Sequence, residues 1–140
     1  MSAGHPDFSE SRPRVLLVDD ARDQLDLYAM VLEEHCEVLK ASRGETGYAV
    51  ACAELPDVIV LDLLLPDVDG FDVCRRLRAT RATAAIPVIF LTGDDPSLFK
   101  AMASVEFSNV FAILKKPATG DRLLSTIVAA VKTTSSGLSE

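Results

Sequence analysis

Three aspartates stand at the ends of two short apolar runs of the chain. Asp62 follows residues 58–61, and the pair Asp19 and Asp20 follows residues 15–18. Apolar runs of this length predict strands that are buried on both faces of a parallel sheet. Ligands bind at the carboxyl edge of such a sheet, so we expect the three carboxylates to meet there. A lone aspartate in this place would more often be a solvated turn residue, and the inference therefore depends on the whole set.

Crowded carboxylates predict a cation, and two further residues predict a phosphoryl group. Carboxylates that lie close together repel one another, and some would be protonated unless a cation lay between them. Oxygen-only ligands suit Mg²⁺, which takes one or two carboxylates together with a phosphate; we expect Mn²⁺ as a substitute. Thr92 and Lys116 follow two more apolar runs and would supply a hydroxyl and a positive charge to phosphoryl oxygens. Asp62, flanked by the metal site, is then the predicted nucleophile.

The elements that must position these residues alternate regularly along the chain. Apolar periodicity predicts five strands, each followed by a helix, which indicates a parallel sheet with helices on both faces. We expect an α/β fold with one flavodoxin-like domain and strand order 2-1-3-4-5, which places strands one and three side by side. The predicted strands are residues 14–19, 37–41, 58–62, 86–91 and 110–114. The predicted helices are residues 21–34, 42–54, a third beginning after Asp69-Gly70, a fourth beginning at Asp95-Pro96, and 119–132.

The start of the second helix carries a local signal. Ser42 and Glu45 have the spacing of a capping box, in which the serine hydroxyl accepts a hydrogen bond from the amide of Glu45 and the glutamate side chain reaches back. We therefore expect this helix to be capped by its own residues.

Composition restricts the class of protein. The chain has 140 residues, 49% hydrophobic and 25% charged, with a formal net charge of −7. No basic stripe is present, which argues against direct nucleic-acid binding, and no stretch approaches a membrane span. Cys36, Cys52 and Cys74 have neither disulfide nor zinc spacing, and we expect reduced, mostly buried thiols in a cytoplasmic protein. We expect a disordered tail at 1–13, one domain at 14–132, and a tail or linker at 133–140.

Four motifs in this order resemble the receiver domain of bacterial two-component response regulators. They are Val18-Asp19-Asp20, the segment from Leu61 to Gly70 that reads LDLLLPDVDG, Leu91-Thr92-Gly93, and Lys116-Pro117. The resemblance covers residues 14–132. It implies a signalling domain that is not an enzyme beyond its own phosphorylation and dephosphorylation.

The resemblance also implies a role for each matching residue. The aspartate matching Asp62 accepts a phosphoryl group from a histidine kinase or a histidine phosphotransfer protein. Residues matching Asp19 and Asp20, with the main-chain carbonyl at Leu64, hold Mg²⁺ together with the phosphoacceptor. Residues matching Thr92 and Lys116 contact the phosphoryl oxygens. They couple phosphorylation to a face built from the fourth helix, the fifth strand and the fifth helix, where a second copy or an effector would bind.

The output half of the chain departs from the family pattern. The position three residues before the lysine is often an aromatic switch residue, and here it is Ile113. The small residues usual before the fifth strand are replaced by residues 106–110. Ile113 is β-branched and smaller than a tyrosine, so we expect it to stay inward in both states. Either the protein is then partly in the active-like form before phosphorylation, or Phe111 or residues 106–110 carry the signal, and we favour the second.

Three other functions compete with this interpretation. A phosphohydrolase of the haloacid dehalogenase type needs a second carboxylate two residues after the nucleophile, where this chain has Leu64, which cannot transfer a proton. A flavodoxin-like cofactor binder needs a Gly, Ser and Thr-rich loop after the first strand, where this chain has acidic residues 19–23. A receiver-shaped interaction module that is never phosphorylated would not need the complete acidic set.

Overall fold

A five-stranded parallel sheet forms the centre of the molecule. The computed structural model describes residues 12–93 and 108–138, with the backbone alone for 134–138. The strand order is β2-β1-β3-β4-β5, which confirms the predicted topology. The strands are β1 (Arg14–Val18), β2 (Glu37–Ala41), β3 (Val58–Asp62), β4 (Val88–Thr92) and β5 (Val110–Lys115).

Four helices in the described residues cover the sheet. They are α1 (Arg22–Leu32), α2 (Gly44–Glu54), α3 (Gly70–Ala79) and the C-terminal helix (Gly120–Leu138). The last continues six residues beyond the predicted end at Lys132. Strand β4 begins at Val88 rather than at Ile86, because Pro87 has no amide to donate to a neighbouring strand. The helix expected to begin at Asp95-Pro96 lies outside the described residues.

Alternation of side chains divides the core into two layers. Residues with odd numbers in β1, such as Val15 and Leu17, pack with α1 and the C-terminal helix. Residues with even numbers, such as Leu16 and Val18, pack with α2 and α3. Because successive side chains of a strand point to opposite faces, a strand covered on both sides must be apolar throughout. This explains the continuous apolar runs of β1, β3 and β4.

The prediction of a capping box at α2 is wrong. Arg43 is the N-cap, and no side chain at that position caps the helix. Glu45 instead pairs with Arg76 of α3, at 2.7 Å between Oε2 and Nη1. The free amides of the first turn are taken by Asp67, which lies in the loop between β3 and α3. A partner from another part of the fold has therefore replaced the local cap.

Polar contacts close the amino edge of the sheet. The amide of Arg14 donates to Asp57 Oδ2 at 2.8 Å, and its guanidinium donates to the Glu54 carbonyl and carboxylate at 2.6 and 2.9 Å. Glu37 lies 3.5 Å from the same guanidinium. These contacts join the ends of β1, β2, α2 and β3 on the side of the sheet away from the three aspartates.

The cysteines are free thiols, as expected. Cys36 and Cys74 are buried and Cys52 is half-buried. Burial raises the pKa of the Cys74 thiol to about 11, which keeps it protonated at neutral pH. Among the described residues no helix is both long enough and apolar enough to cross a membrane.

Candidate functional site

The parallel sheet brings the predicted site residues to one edge. Asp19 follows β1, Asp62 ends β3, Thr92 ends β4 and Lys116 follows β5. Asp19, Asp62 and Thr92 are buried, with relative exposures of 3%, 6% and 2%. Buried polar residues at the carboxyl ends of parallel strands are the arrangement that binds ligands in open α/β sheets.

Three carboxylates converge at this edge with the spacing of a metal site. Asp19, Asp20 and Asp62 each offer an oxygen, and the three oxygens lie within 4.8 Å of one another. These residues would hold Mg²⁺, because the ion binds carboxylate oxygens together with water and other oxygen ligands. Asp20 is exposed, which leaves one side of the cluster open to solvent.

Lys116 provides the positive charge of the cluster. Its Nζ donates to Asp62 Oδ2 at 2.9 Å and to Asp19 Oδ2 at 3.2 Å. Burial disfavours the charged amine, but the hydrogen bond and attraction to Asp62, with a further contribution from Asp19, outweigh it and raise the pKa of Lys116. The amide of Lys116 donates to the Thr92 carbonyl at 2.7 Å, which fixes the end of β5 to β4. The neighbouring Lys115 is exposed.

The pKa of Asp19 is subject to opposing effects. Burial raises the pKa of its carboxyl, and the nearby Asp62 acts in the same direction. The amide of Ala21, which donates to Asp19 Oδ1 at 2.9 Å, and the charge of Lys116 oppose this rise without cancelling it. A second cation among these carboxylates would stabilise the charged form of Asp19, and the donor set therefore fits Mg²⁺.

The Asp62 carboxylate is oriented from both sides. Its Oδ2 accepts from Lys116, and its Oδ1 accepts from the amide of Leu64 at 3.0 Å. The Leu64 side chain is 73% exposed, while its backbone forms an isolated bridge with Asp69. An apolar side chain at this position cannot act as a general acid, which argues against a phosphohydrolase that needs a second carboxylate there.

Gly70 permits the loop after Asp62 to fold back on its own strand. A methyl group at this residue would lie 2.8 Å from the Asp62 carbonyl oxygen and 2.8 Å from the Leu63 Cα. The side chain of Asp69 caps α3 by accepting from the amide of Phe71 at 2.9 Å. The short turn between β3 and α3 therefore depends on a residue without a Cβ.

The two residues considered for the switch, Ile113 and Phe111, lie on β5. Ile113 is buried and pairs in register with Phe90, whereas Phe111 is 37% exposed. The structure thus brings Asp19, Asp20, Asp62 and Lys116 into one cluster and sets Ile113 in the apolar layer under α2 and α3. Sequence reasoning missed Asp67, because nothing near it in the chain indicates a partner 22 or 23 residues away.

Comparison with known proteins identifies the family. The sequence profile of the response regulator receiver domain matches residues 15–128. The chain belongs to the receiver domain family of response regulators. This receiver therefore belongs to the signalling domains of two-component systems, as its motifs indicated.

Several response regulators are similar to this receiver in sequence. The receiver is 37% identical over 117 residues to protein PilH of Pseudomonas aeruginosa, covering 83% of this chain and 95% of PilH. It is 42% identical over 83 residues to the response regulator PleD of Caulobacter vibrioides and 48% identical over 81 residues to the DNA-binding regulator RpaA of Synechocystis. These matches span 59% and 57% of this chain but only 18% of PleD and 34% of RpaA.

Solved structures share the fold. The signal receiver domain of a putative LuxO repressor protein from Vibrio parahaemolyticus superposes with a TM-score of 0.80 at 27% identity, over 92% of this chain and 98% of that one. A response regulator receiver domain from Clostridium thermocellum superposes with a TM-score of 0.77 at 28% identity, over 88% and 97% of the two chains.

Proposed function

We propose that this receiver is a Mg²⁺-dependent phosphoacceptor that carries the phosphoryl group on Asp62. The observation that carries the proposal is the Asp62 carboxylate itself, which lies at the end of a central strand with Lys116 Nζ at 2.9 Å and two further carboxylates beside it. Such a carboxylate is oriented by its hydrogen bonds and shielded from most of the solvent, as a nucleophile requires.

The donor is a phosphohistidine of a histidine kinase or of a histidine phosphotransfer protein. A carboxylate oxygen of Asp62 attacks the phosphorus atom, the new bond is P–O, and the P–N bond of the phosphohistidine breaks. The bonding electrons stay on the imidazole nitrogen, which takes a proton as it leaves. Lys116 neutralises the phosphoryl charge, and the hydroxyl of Thr92 donates to a phosphoryl oxygen after transfer.

Asp19, Asp20, Asp62 and the main-chain carbonyl of Leu64 would hold the metal ion. When bound, Mg²⁺ neutralises the negative charge that the incoming phosphoryl group adds to the cluster, and Mn²⁺ would serve in its place. The raised pKa of Asp19 supports this assignment, because burial and, to a lesser degree, the nearby Asp62 disfavour its charged form, and a bound cation would stabilise that form.

The proposed output surface combines β5 and the C-terminal helix with the predicted fourth helix, which lies outside the described residues. We expect a second copy or an effector to bind there. Ile113 is 6% exposed and β-branched, so it has little reason to turn outward when Thr92 moves toward the phosphoryl group. Phe111, which is partly exposed, and the residues before it are then the carriers of the signal. The predicted domain spans 14–132, although the C-terminal helix itself continues to Leu138. We expect the protein to act in the cytoplasm.

Acetyl phosphate provides a test of the phosphoacceptor. Incubation of the protein with acetyl phosphate and Mg²⁺ should add one phosphoryl group by intact mass, and addition of EDTA beforehand should prevent it. Asp62→Asn should take up none. Asp57→Asn is the matched control, because Asp57 is an exposed carboxylate at the opposite edge of the sheet, and it should be labelled as the wild type is. Labelling that persists in Asp62→Asn would refute the assignment.

A further inference from the structure

We propose that Asp67 is a positioning residue of the phosphorylation site, fixing the loop after β3 against the first turn of α2. This inference rests on the proposed function of Asp62. The carboxylate of Asp67 accepts from the amide of Gly44 at 2.9 Å and from the amide of Glu45 at 3.0 Å. One residue of the loop therefore uses both of its oxygens on one helix.

The first amides of α2 require a hydrogen-bond acceptor from outside the helix. The first amides of a helix have no partner within the helix, and the positive end of the helix dipole favours an anion there. Arg43 gives no side-chain cap, and Glu45 pairs with Arg76. The two hydrogen bonds to α2, that from Glu45 contributing most, lower the pKa of the Asp67 carboxyl, so the anion is present throughout the physiological range.

A second contact holds the same part of the loop on the same helix. Val68 lies against Gly44 so closely that a methyl group there would overlap the Val68 side chain. Asp67 and Val68 thus contact the start of α2 together, one through hydrogen bonds and one through packing. The attachment is specific in position, because only a glycine at residue 44 leaves room for it.

The other end of the loop is attached to the sheet. The amide of Leu63 donates to the Leu91 carbonyl at 3.1 Å, and the Leu63 carbonyl accepts from the amide of Gly70 at 3.1 Å. Leu64 to Pro66 therefore span a gap between two fixed points, Leu63 on the sheet and Asp67 on α2. Three residues between two anchors have few conformations available, and the bridge between Leu64 and Asp69 restricts them further, so the position of Leu64 depends on all three restraints.

Leu64 transmits this restraint to the phosphoacceptor. Its amide donates to Asp62 Oδ1 at 3.0 Å, and its carbonyl is the main-chain metal ligand that the proposed function requires. Releasing the loop from α2 removes one restraint on both groups and leaves Leu64 held by Leu63 and by its bridge with Asp69. The metal ion must then order the loop as it binds, because Asp67 no longer does so beforehand. The affinity for Mg²⁺ is therefore lower. Groups that orient metal ligands without contacting the metal typically contribute about 10–100-fold in affinity.

Three variants separate positioning from stability. Asp67→Ala removes both acceptors, and Asp67→Asn keeps one oxygen that can accept one of the two amides. Asp57→Ala is the control, because Asp57 is also an exposed carboxylate that accepts a backbone amide from a distant segment, Arg14 at 2.8 Å, but at the amino edge. Thermal unfolding without metal identifies a temperature at which all three are folded.

Mg²⁺ affinity by titration calorimetry is the main measurement. We expect Asp67→Ala to bind Mg²⁺ about tenfold more weakly than the wild type. Asp67→Asn should lie between the two, and Asp57→Ala should bind as the wild type does. Hydrogen exchange of the metal-free protein should be faster at the amides of Gly44, Glu45 and Leu64 in Asp67→Ala. The rate of labelling by acetyl phosphate should recover at high Mg²⁺, because the defect lies in metal binding.

The outcomes are distinguishable. Equal Mg²⁺ affinity of Asp67→Ala and Asp57→Ala would overturn the inference, and so would unchanged exchange at Leu64. This holds even if both variants bind Mg²⁺ more weakly than the wild type, because an equal loss would be an effect of general stability and not of the position of Asp67. A wild-type protein that binds Mg²⁺ but takes up no phosphoryl group would refute the proposed function instead, whatever Asp67 does.

Discussion

Replacing Lys116 by Met should destabilise the metal-free protein strongly, because it leaves buried carboxylates without their countercharge. Met keeps the length of the apolar stem and removes the amine that lies 2.9 Å from Asp62 and 3.2 Å from Asp19. Removing one partner of a buried ion pair costs about 3–5 kcal/mol. The Lys116 side chain is 19% exposed, so water screens part of the loss and the lower value of about 3 kcal/mol applies. For a chain of this size, that lowers the midpoint of thermal unfolding by about 10 °C.

Magnesium should reduce this difference. Lys116 and the metal ion compete for the same carboxylates, so the variant should bind Mg²⁺ more tightly than the wild type and gain more stability from it. An ion that binds only the folded protein contributes about 2.7 kcal/mol at a hundred times its Kd. Circular dichroism melts in EDTA and in rising MgCl₂ provide the measurement. Lys115→Met removes an exposed lysine from the adjacent position and is the control.

The pH dependence of the difference has a defined sign. The pKa of Lys116 is raised in the folded protein, so its contribution is fully present below the pKa of an unfolded lysine, about 10.4. It is lost as the pH rises through the higher pKa of the folded state. The gap between wild type and Lys116→Met should therefore be constant around neutral pH and close in strong alkali. Equal melting midpoints of Lys116→Met and Lys115→Met in EDTA, or a gap that Mg²⁺ leaves unchanged, would refute the reasoning.

Three further predictions concern the same edge. Asp20→Asn should weaken Mg²⁺ binding in calorimetry while leaving metal-free stability equal or higher, since it removes a like charge; a large loss of metal-free stability would contradict this. Gly70→Ala should lower the melting midpoint and slow phosphorylation, because its methyl group would meet backbone atoms at 2.8 Å; Gly93→Ala is the control for stability and should leave the midpoint unchanged, because none of the described residues lies within 4 Å of the added methyl group. The Ile113 amide should stay protected from hydrogen exchange with and without a phosphoryl mimic, while Phe111 changes; opening at Ile113 alone would be the opposite result.

The sheet and its polar edge could be predicted because the signal is carried by single strands. The run that ends in Asp62 is apolar at every position, since β3 is covered on both faces, and its five residues were located without error. The convergence of Asp19 with Asp62 then follows from the parallel topology alone. Strand β4 was placed two residues early because Ile86 is apolar without belonging to the ladder, and the sequence pattern does not record which amides pair.

Contacts between loops could not be predicted in the same way. Ser42 and Glu45 carry a genuine capping signal, but Arg76 binds the glutamate and Asp67 occupies the amides. Which of two competing partners a helix terminus selects depends on distances across the fold, and these are set only when α3 and the loop after β3 have packed. The sequence contains both possible partners, the local cap and Asp67, but it does not indicate which of them the helix will bind.

The contacts of Arg14 with Asp57 and Glu54 have a consequence for how this molecule can evolve. Strands of five residues at about 3.3 Å each separate that cluster from Asp62 by about 16 Å, twice the distance of about 8 Å over which physiological salt screens a charge. Charge changes can therefore accumulate at the amino edge with little effect on the electrostatics around Asp62. A destabilising mutation near Asp62 can therefore be offset by tighter contacts around Arg14 that leave the charge environment of Asp62 unchanged.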